Sequence, residues 1–419
     1  MKFSLSTPRR KGLIVATAAV LAFLYLGFAG SQWIASWLSE SAELSSLQKA
    51  VWLDPGNAEY RDHLGRYYDL VARDPALAVA QYKAAVRINP HSARYWFDLA
   101  NSYQVLGDTS QQTTALEYAI QADSTTPDVA WEAANLYLVQ GENEKALREF
   151  HVVMANDASL QGPALQFCWR INPDVDALLR DVVPARADAY INFLNLLEYK
   201  QETAGTMKVW NALFRTSESF ERRYAFDYIK YLIVHKEVDE AALAWQQIAA
   251  RFGFSSYLPS SSNLIVNPSF NLNVLNAGFD WQYQRQSSVT LTLDPSDYHA
   301  GRRSLLIAFD GPGINEAGIY QLIALQPNTT YDFTAYYKTG EMDGAGGPHF
   351  TIQDMYTQSV YWESEELKNA GFWKSAYGEF TTGPDCKLVV LHIRRLPAGS
   401  PIRGKLWVDD FHLNRKPSS

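Results

Sequence analysis

Residues able to make or break bonds are few in this chain, and they do not converge. Glu363, Glu365 and Glu366 are the acids that could supply a glycosidase's two carboxylates, a reaction that needs the pair to face each other across a cleft. There is no Gly-x-Ser-x-Gly elbow, no His-Glu-x-x-His and no phosphate-cradling loop. Gly344-Ala345-Gly346-Gly347-Pro348 is rich in glycine but lacks a strand-to-helix context, so it reads as a hairpin loop. His63, His91, His151 and His235 fall in the first half and the other histidines in the second, none at metal-ligand spacing with a Cys or another His. Cys168 and Cys386 lie in different halves and read as two buried thiols. The expectation is a protein that binds rather than catalyses, with no cofactor.

Charge narrows what it binds. The net charge is -8, and no cluster of Lys and Arg follows the first eleven residues, which argues against a nucleic-acid partner. Aromatics are the unusual feature, with 12 Trp and 24 Tyr available to pack helices or to stack on sugar rings.

The elements that would position these residues begin with a candidate membrane span. Lys2, Arg9, Arg10 and Lys11 form a basic tail over residues 1–11, and the stretch 12–30 carries no charge. Nineteen residues of helix span about 28 Å, close to the hydrocarbon thickness of a bilayer. The basic flank places the N-terminus in the cytoplasm, and Trp33 and Trp37 follow where interfacial anchors sit. A cleaved signal peptide is the alternative, since Gly27-Phe28-Ala29 offers small residues at a processing spacing. On either reading the remainder is exported. The favoured placement is single-pass in the inner (cytoplasmic) membrane, with the bulk on the periplasmic or extracellular side.

Beyond the span a pattern recurs. Ala50-Val51-Trp52-Leu53-Asp54-Pro55 is echoed at Ala85–Pro90, again at Ala119–Asp123 and more faintly at Val153-Met154, at intervals of 35, 34 and 34 residues. Leu64-Gly65 with Tyr68, Leu99-Ala100 with Tyr103, and Ala133-Ala134 with Tyr137 repeat an apolar, small, aromatic series. Gly107 and Gly141 mark turns. This periodicity resembles the tetratricopeptide repeat family, firmly from Ala50 to Met154. About five or six units are expected within 40–252, with helix pairs over 185–214 and 220–252 and a break near Gly162-Pro163 and Asn172-Pro173. Such arrays bind a protein or peptide on their concave face, and Arg94, Tyr95, Asp98, Asn101 and Asn135 are candidates to line it, with a solvated face as the alternative for each.

Residues 253–262 are rich in serine and read as a linker. After it the pattern alternates, as in Tyr331, Phe333, Ala335 and Tyr337, and again in Lys405–Leu413. The order of motifs is Asn263–Phe270, Gly278-Phe279-Asp280-Trp281, His299–Leu305, Leu325–Tyr331, Trp373 and Trp407-Val408-Asp409-Asp410. Together, over Asn263–Leu413, they resemble the jelly-roll carbohydrate-binding modules of families four and nine, within the galactose-binding-like class. The resemblance implies glycan contact by rings, amides and carboxylates. Tyr356, Tyr361 and Trp362 beside Gln353, Asp354 and Glu363 are the candidates, with Trp281 and Tyr283 second. Alternation implies that one ring of Tyr361 and Trp362 faces outward, with plain packing as the alternative to ligand contact for the pair. Trp281, Trp373 and Trp407 have core packing as their alternative. Some members of this class hold a structural calcium near the closing strand, where Asp410 would be the counterpart.

The expected fold is multidomain α + β: a transmembrane helix, an α-solenoid of tetratricopeptide-type helix pairs and an antiparallel jelly-roll sandwich over 263–419. The function it implies is an extracytoplasmic adaptor, with a polysaccharide on the sandwich and a protein partner on the repeats, in exopolysaccharide assembly or export. The alternative is a protein–protein scaffold whose sandwich is purely structural.

Overall fold

A computed structural model describes residues 8–417, apart from the side chain of Arg10; Lys2 of the basic tail lies outside this range. Among the described residues, fourteen α-helices precede ten β-strands, as the change of sequence period predicts. The chain forms two compact units. One comprises the residues up to Lys200 with Lys208–Thr216; the other comprises Gln201–Met207 with Ser217 onward.

In the first unit the helices are α1 (Pro8–Ser39), α2 (Leu44–Leu53), α3 (Ala58–Arg66), α4 (Pro75–Ile88), α5 (Ala93–Leu106), α6 (Thr109–Ala122), α7 (Pro127–Gln140) and α8 (Asn143–Asn156). They are followed by α9 (Gln161–Ile171), α10 (Val175–Asp181) and α11 (Ala187–Lys200), while α12 (Thr203–Arg215) is divided between the units. From α5 to α8 each helix is fourteen residues long, so the 34-residue period is two helices and their turns. Gly107 and Gly141 end α5 and α7 in the left-handed conformation, where glycine carries no Cβ penalty. Gly65 shows why the small position recurs: a Cβ there would meet the ring of Tyr82 from the paired helix. The irregularity expected near Gly162-Pro163 takes the form of shorter helices, with α9 and α10 at eleven and seven residues. Cys168 is buried, as expected, and so is Cys386 in the other unit.

Helix α1 divides into two stretches. Every described side chain from Lys11 to Gly30 is exposed, and the stretch Lys11–Ser39 is long and apolar enough to cross a membrane, as a signal sequence would also be. From Ser31 onward one face is covered, with Ala35 packed among Leu47, Ala50, Val51, Tyr60 and Leu64. The carbonyl of Ser39 meets His63 Nδ1 at 3.0 Å.

The second unit holds α13 (Arg222–Val234), α14 (Val238–Phe252) and a ten-stranded sandwich. Its strands are β1 (Gln282–Tyr283), β2 (Val289–Asp294), β3 (Ser304–Gly311), β4 (Glu316–Ala324), β5 (Thr330–Gly344), β6 (Gly347–Asp354), β7 (Val360–Glu363), β8 (Lys374–Thr381), β9 (Leu388–Leu396) and β10 (Ile402–Arg415). They form two antiparallel sheets. Sheet I has the order β1-β4-β9-β6-β7, and sheet II the order β2-β3-β10-β5-β8. Between them Phe270, Trp281, Phe333, Phe350 and Phe411 interlock, with ring centroids 4.9 Å apart for Phe270–Trp281 and 5.0 Å for Trp281–Phe411.

Helix α14 is part of this unit rather than a neighbour of it. Trp245 is buried, stands where a Cβ on Gly278 would be, and donates its indole N–H to Tyr257 O at 3.0 Å. Ala242, Trp245 and Gln246 face Leu322, Ala324, Val266 and Phe279 across a cavity of about 60 Å³. Residues 253–262, expected to be a linker, are folded in between: Ser255–Tyr257 is a short 3-10 turn, and the Tyr257 hydroxyl donates to Asn273 O at 2.7 Å.

Candidate functional site

The two sheets turn different faces outward, and alternation decides which side chains lie on each. In β4, Ile319 and Ile323 point into the core while Tyr320, Leu322 and Ala324 point out of sheet I. In β9, Val389, Leu391 and Ile393 point in while Val390, His392 and Arg394 point out. In β6, Phe350 and Ile352 point in while His349, Thr351 and Gln353 point out.

The pairing register places five of the outward residues in a single row across all five strands. Gln282 is opposite Tyr320, Tyr320 opposite His392, His392 opposite Thr351, and Thr351 opposite Glu363. At about 4.8 Å per strand the row is about 19 Å long. It offers an amide, a phenol, an imidazole, a hydroxyl and a carboxylate. The Tyr320 hydroxyl donates to Gln282 Oε1 at 3.1 Å, and His392 Nδ1 lies 3.2 Å from Glu316 Oε2, while Glu316 Oε1 pairs with Arg394 Nε at 3.5 Å.

Two buried atoms of the row, Thr351 Oγ1 and His392 Nε2, have no hydrogen-bond partner among the described residues. The Thr351 side chain is fully buried and His392 is 9% exposed. Such groups cost about 1–3 kcal/mol when left unpaired, and because both atoms are screened from solvent, a ligand carrying hydroxyls reaches them only as the surrounding side chains move aside. At the other end of the same face Leu322, Ala324 and the α14 helix meet, and the β6–β7 loop is held to the α13 terminus, since the Tyr356 hydroxyl donates to Ile233 O at 2.8 Å. Burial, with help from Asp354, pushes the Tyr356 phenol up to about 12. The row is therefore bounded on one side by helix.

The sequence-based candidates divide across this geometry. Gln353 and Glu363 lie on the outer face of sheet I; Gln353 donates to Gln358 Oε1 at 2.8 Å, and Glu363 is exposed. Asp354 caps its own loop by accepting from Tyr356 N and Thr357 N. Trp281 is core, donating to Asn267 O at 3.1 Å, while Tyr283 is exposed on β1.

The expectation that one of Tyr361 and Trp362 faces outward is corrected. A bulge at Tyr361, left unpaired between Trp362 opposite Ile352 and Val360 opposite Gln353, breaks the alternation there, and both rings lean on the core. Trp362 lies 5.0 Å from Phe333 and occupies the space a Cβ on Gly378 would need. Tyr361 is parallel to Phe380 at 6.3 Å, and its hydroxyl is 3.3 Å from Asp354 Oδ2. Tyr320, His392, Thr351 and Gln282 were missed as a site. Alternation within each strand marks them as outward, but only the register across four strand pairs makes them neighbours.

The outer face of sheet II carries more rings and fewer free partners. Trp407 donates to Asp294 Oδ2 at 2.8 Å, Trp373 to Asp297 Oδ1 at 3.2 Å, and Lys338 Nζ lies 5.8 Å above the Trp407 ring. His299 stacks on Tyr336 at 3.7 Å. Core packing, the alternative weighed for Trp407, does not apply, because Leu406 and Val408 take the inward positions.

Asp410 does not fit a calcium. It sits at positive φ in a bulge, with Oδ2 3.1 Å from His299 Nδ1 and Oδ1 2.9 Å from His412 Nε2. Its neighbour Asp409 is buried and spends one oxygen on the backbone N–H groups of His299 and Ala300. Calcium needs six or more oxygens, and no metal-holding cluster of acids, His or Cys occurs among the described residues.

On the repeats, Arg94, Asp98, Asn101 and Asn135 pair with neighbouring residues rather than with one another. Arg94 reaches Asp62 at 2.8 Å, and Arg66 bridges Asp62 at 3.3 Å and Asp98 at 2.8 Å. Asn101 lies 3.5 Å from Glu132, whose carboxyl burial pushes up. Asn135 donates to Trp131 O in its own helix. Tyr95 is half-buried beside this network.

Comparison with known proteins follows the same division. Residues 262–397 match a protein-family model described as a carbohydrate binding domain. A tetratricopeptide repeat protein 37 from Xenopus laevis is 30% identical over 112 residues, which are 26% of this chain and 7% of that protein. Similar solved structures include one described as "CBM4 structure and function", 17% identical, covering 36% of this chain and 99% of that one with a TM-score of 0.29. MamA is 19% identical over 41% of this chain and 84% of its own, with a TM-score of 0.25. For pilF of Pseudomonas aeruginosa the identity is 17%, the shares are 50% and 83%, and the TM-score is 0.24. The chain is thus a tetratricopeptide-like helical array followed by a sandwich of the carbohydrate-binding-module type.

Proposed function

We propose that this protein is a non-enzymatic adaptor, anchored in the inner membrane by α1, that holds a polysaccharide on its sandwich and a protein partner on its repeats. Exopolysaccharide assembly or export is the setting in which both halves have a use. The observation that carries the glycan reading is the row Gln282–Tyr320–His392–Thr351–Glu363, with its two buried polar atoms left without partners. A polysaccharide chain laid across the strands supplies hydroxyls at intervals along that row. Displacing them would cost the protein hydrogen bonds it does not make internally.

Binding rather than hydrolysis is favoured by the state of the acids. Glu316 is committed to His392 and Arg394, and Glu363 stands alone at the far end of the row. A cytoplasmic tail and exported bulk follow from the basic residues before an uncharged span.

One observation favours the scaffold reading: Tyr361 and Trp362 form no outward aromatic platform. A glycan-array and affinity-gel screen of the unit from Ser217 onward separates the two. Retention by at least one polysaccharide, weakened by Tyr320→Ala, supports the adaptor. A folded unit that no glycan retains leaves the scaffold.

A further inference from the structure

The first repeat begins within the uncharged stretch, where the fully exposed part of α1 ends. Residues 12–30 carry no charge and are exposed on every side, and at Ser31 and Gln32 the face of α1 toward the array starts to be covered. No spacer intervenes, because Ala35, Leu38 and Ser39 belong to the same continuous helix and pack directly on the first repeat.

Helix α2 then runs back toward the membrane. A short connection turns the chain, with Ser41 N bonded to Leu38 O, and helices joined so closely lie antiparallel. The nine residues from Ser31 to Ser39 rise about 13 Å, and the ten of α2 about 15 Å. The C-terminal end of α2, with Trp52 and Leu53, therefore returns to the level of Ser31. The polar layer on each side of the hydrocarbon is about 5–7 Å deep. Trp33, about 4–5 Å beyond Gly30, falls inside it, while Trp37 at about 10 Å lies beyond it.

Trp33, Trp37 and Trp52 are 74%, 68% and 78% exposed, whereas Trp210, Trp245 and Trp281 are nearly fully buried. Neighbouring positions on α2 are buried as the fold requires, so packing in the array does not explain the ring at 52. Indoles gather at the headgroup level because the ring is apolar and the N–H wants a partner.

We propose that the first repeat rests on the lipid surface, with Trp52 joining Trp33 in one interfacial belt and the turn Asp54–Asn57 lying among the headgroups. This rests on the reading of α1 as a retained anchor. It fixes the array at the membrane instead of leaving it on a flexible stalk.

The test uses the full chain in phosphatidylethanolamine–phosphatidylglycerol vesicles, labelled with a fluorophore at one of three introduced cysteines: Val20→Cys, Trp52→Cys or Val105→Cys. All three positions are exposed, so the label does not disturb packing. Quenching is measured with lipids brominated just below the headgroup and with aqueous iodide. The label at 52 is expected to lose about threefold more emission to brominated lipid than the label at 105, and to be shielded from iodide. Equal behaviour at 52 and 105, with the label at 20 quenched by lipid, overturns the proposal and leaves the anchor standing. No lipid quenching at 20 overturns the anchor, and this proposal with it.

Discussion

The two outer faces of the sandwich are built from similar residues and have opposite hydrogen-bond accounts. Sheet II displays Trp407, Trp373, Tyr336 and His299; the two indoles and His299 Nδ1 are met by Asp294, Asp297 and Asp410, and Tyr336 stacks on His299. Sheet I displays a single tyrosine in its central row, yet leaves Thr351 Oγ1 and His392 Nε2 buried and unmatched. Rings on a surface are thus a weaker sign of a site than polar groups that the protein itself does not satisfy. A face whose donors are all engaged is finished, and a face with open ones is suited to another molecule.

The contrast can be broken from its support inward. Trp245→Ala removes the indole that seats α14 against Gly278 and Phe279, and should cost about 3–5 kcal/mol in chemical denaturation of the second unit. Glycan affinity at temperatures where that variant stays folded should fall as well, since α14 bounds the row. Unchanged stability would mean that the helix is not part of the sandwich's fold.

Asp280 gives a pH-dependent version of the same test. Burial pushes its carboxyl up to about 6, and Oδ1 has no partner while Oδ2 accepts from Leu275 N. A folded-state value above the unfolded one favours the neutral acid. Its contribution is therefore full below about pH 4 and lost as pH rises through about 6, at most about 3 kcal/mol. Denaturation at pH 4 and pH 7.5 should show this loss in the native chain and a smaller one in Asp280→Asn. An equal loss in both would remove Asp280 as its source.

Trp407→Ala on sheet II should cost about 2 kcal/mol through lost packing over Lys338 and Gly340, and leave glycan retention unchanged. Loss of retention without loss of stability would move the site to that face. The smallest stability effect is expected at Thr351→Val, where a methyl replaces a hydroxyl that has no partner. That change should be neutral or slightly stabilising, read from the denaturation midpoint.

Local pattern explains why much of the fold was legible. The 34-residue period carries the helix pairs, because Gly65 and Gly107 each answer a steric demand within one repeat. Alternation in Leu406-Trp407-Val408 assigns inside and outside along β10 without further help. Alternation fails at β7, where a bulge turns both Tyr361 and Trp362 inward, and nothing in the run Val360–Glu363 announces it. Tyr356 was legible as a polar-tipped ring, but its partner Ile233 lies 123 residues earlier. The sheet I row is the extreme case, since it exists only once five separate strands have paired in register. Trp407, weighed only as core packing, belonged outside on the evidence of its own neighbours in sequence.

The most direct test of the account compares Thr351→Val with the native chain in both glycan affinity and stability. The account predicts at least about fivefold weaker retention on the polysaccharide that binds best, with no loss of stability, as expected when a hydrogen bond worth about 1 kcal/mol is removed from the complex alone. Full retention by a folded Thr351→Val variant, or a fall in affinity that only tracks a fall in stability, would contradict it.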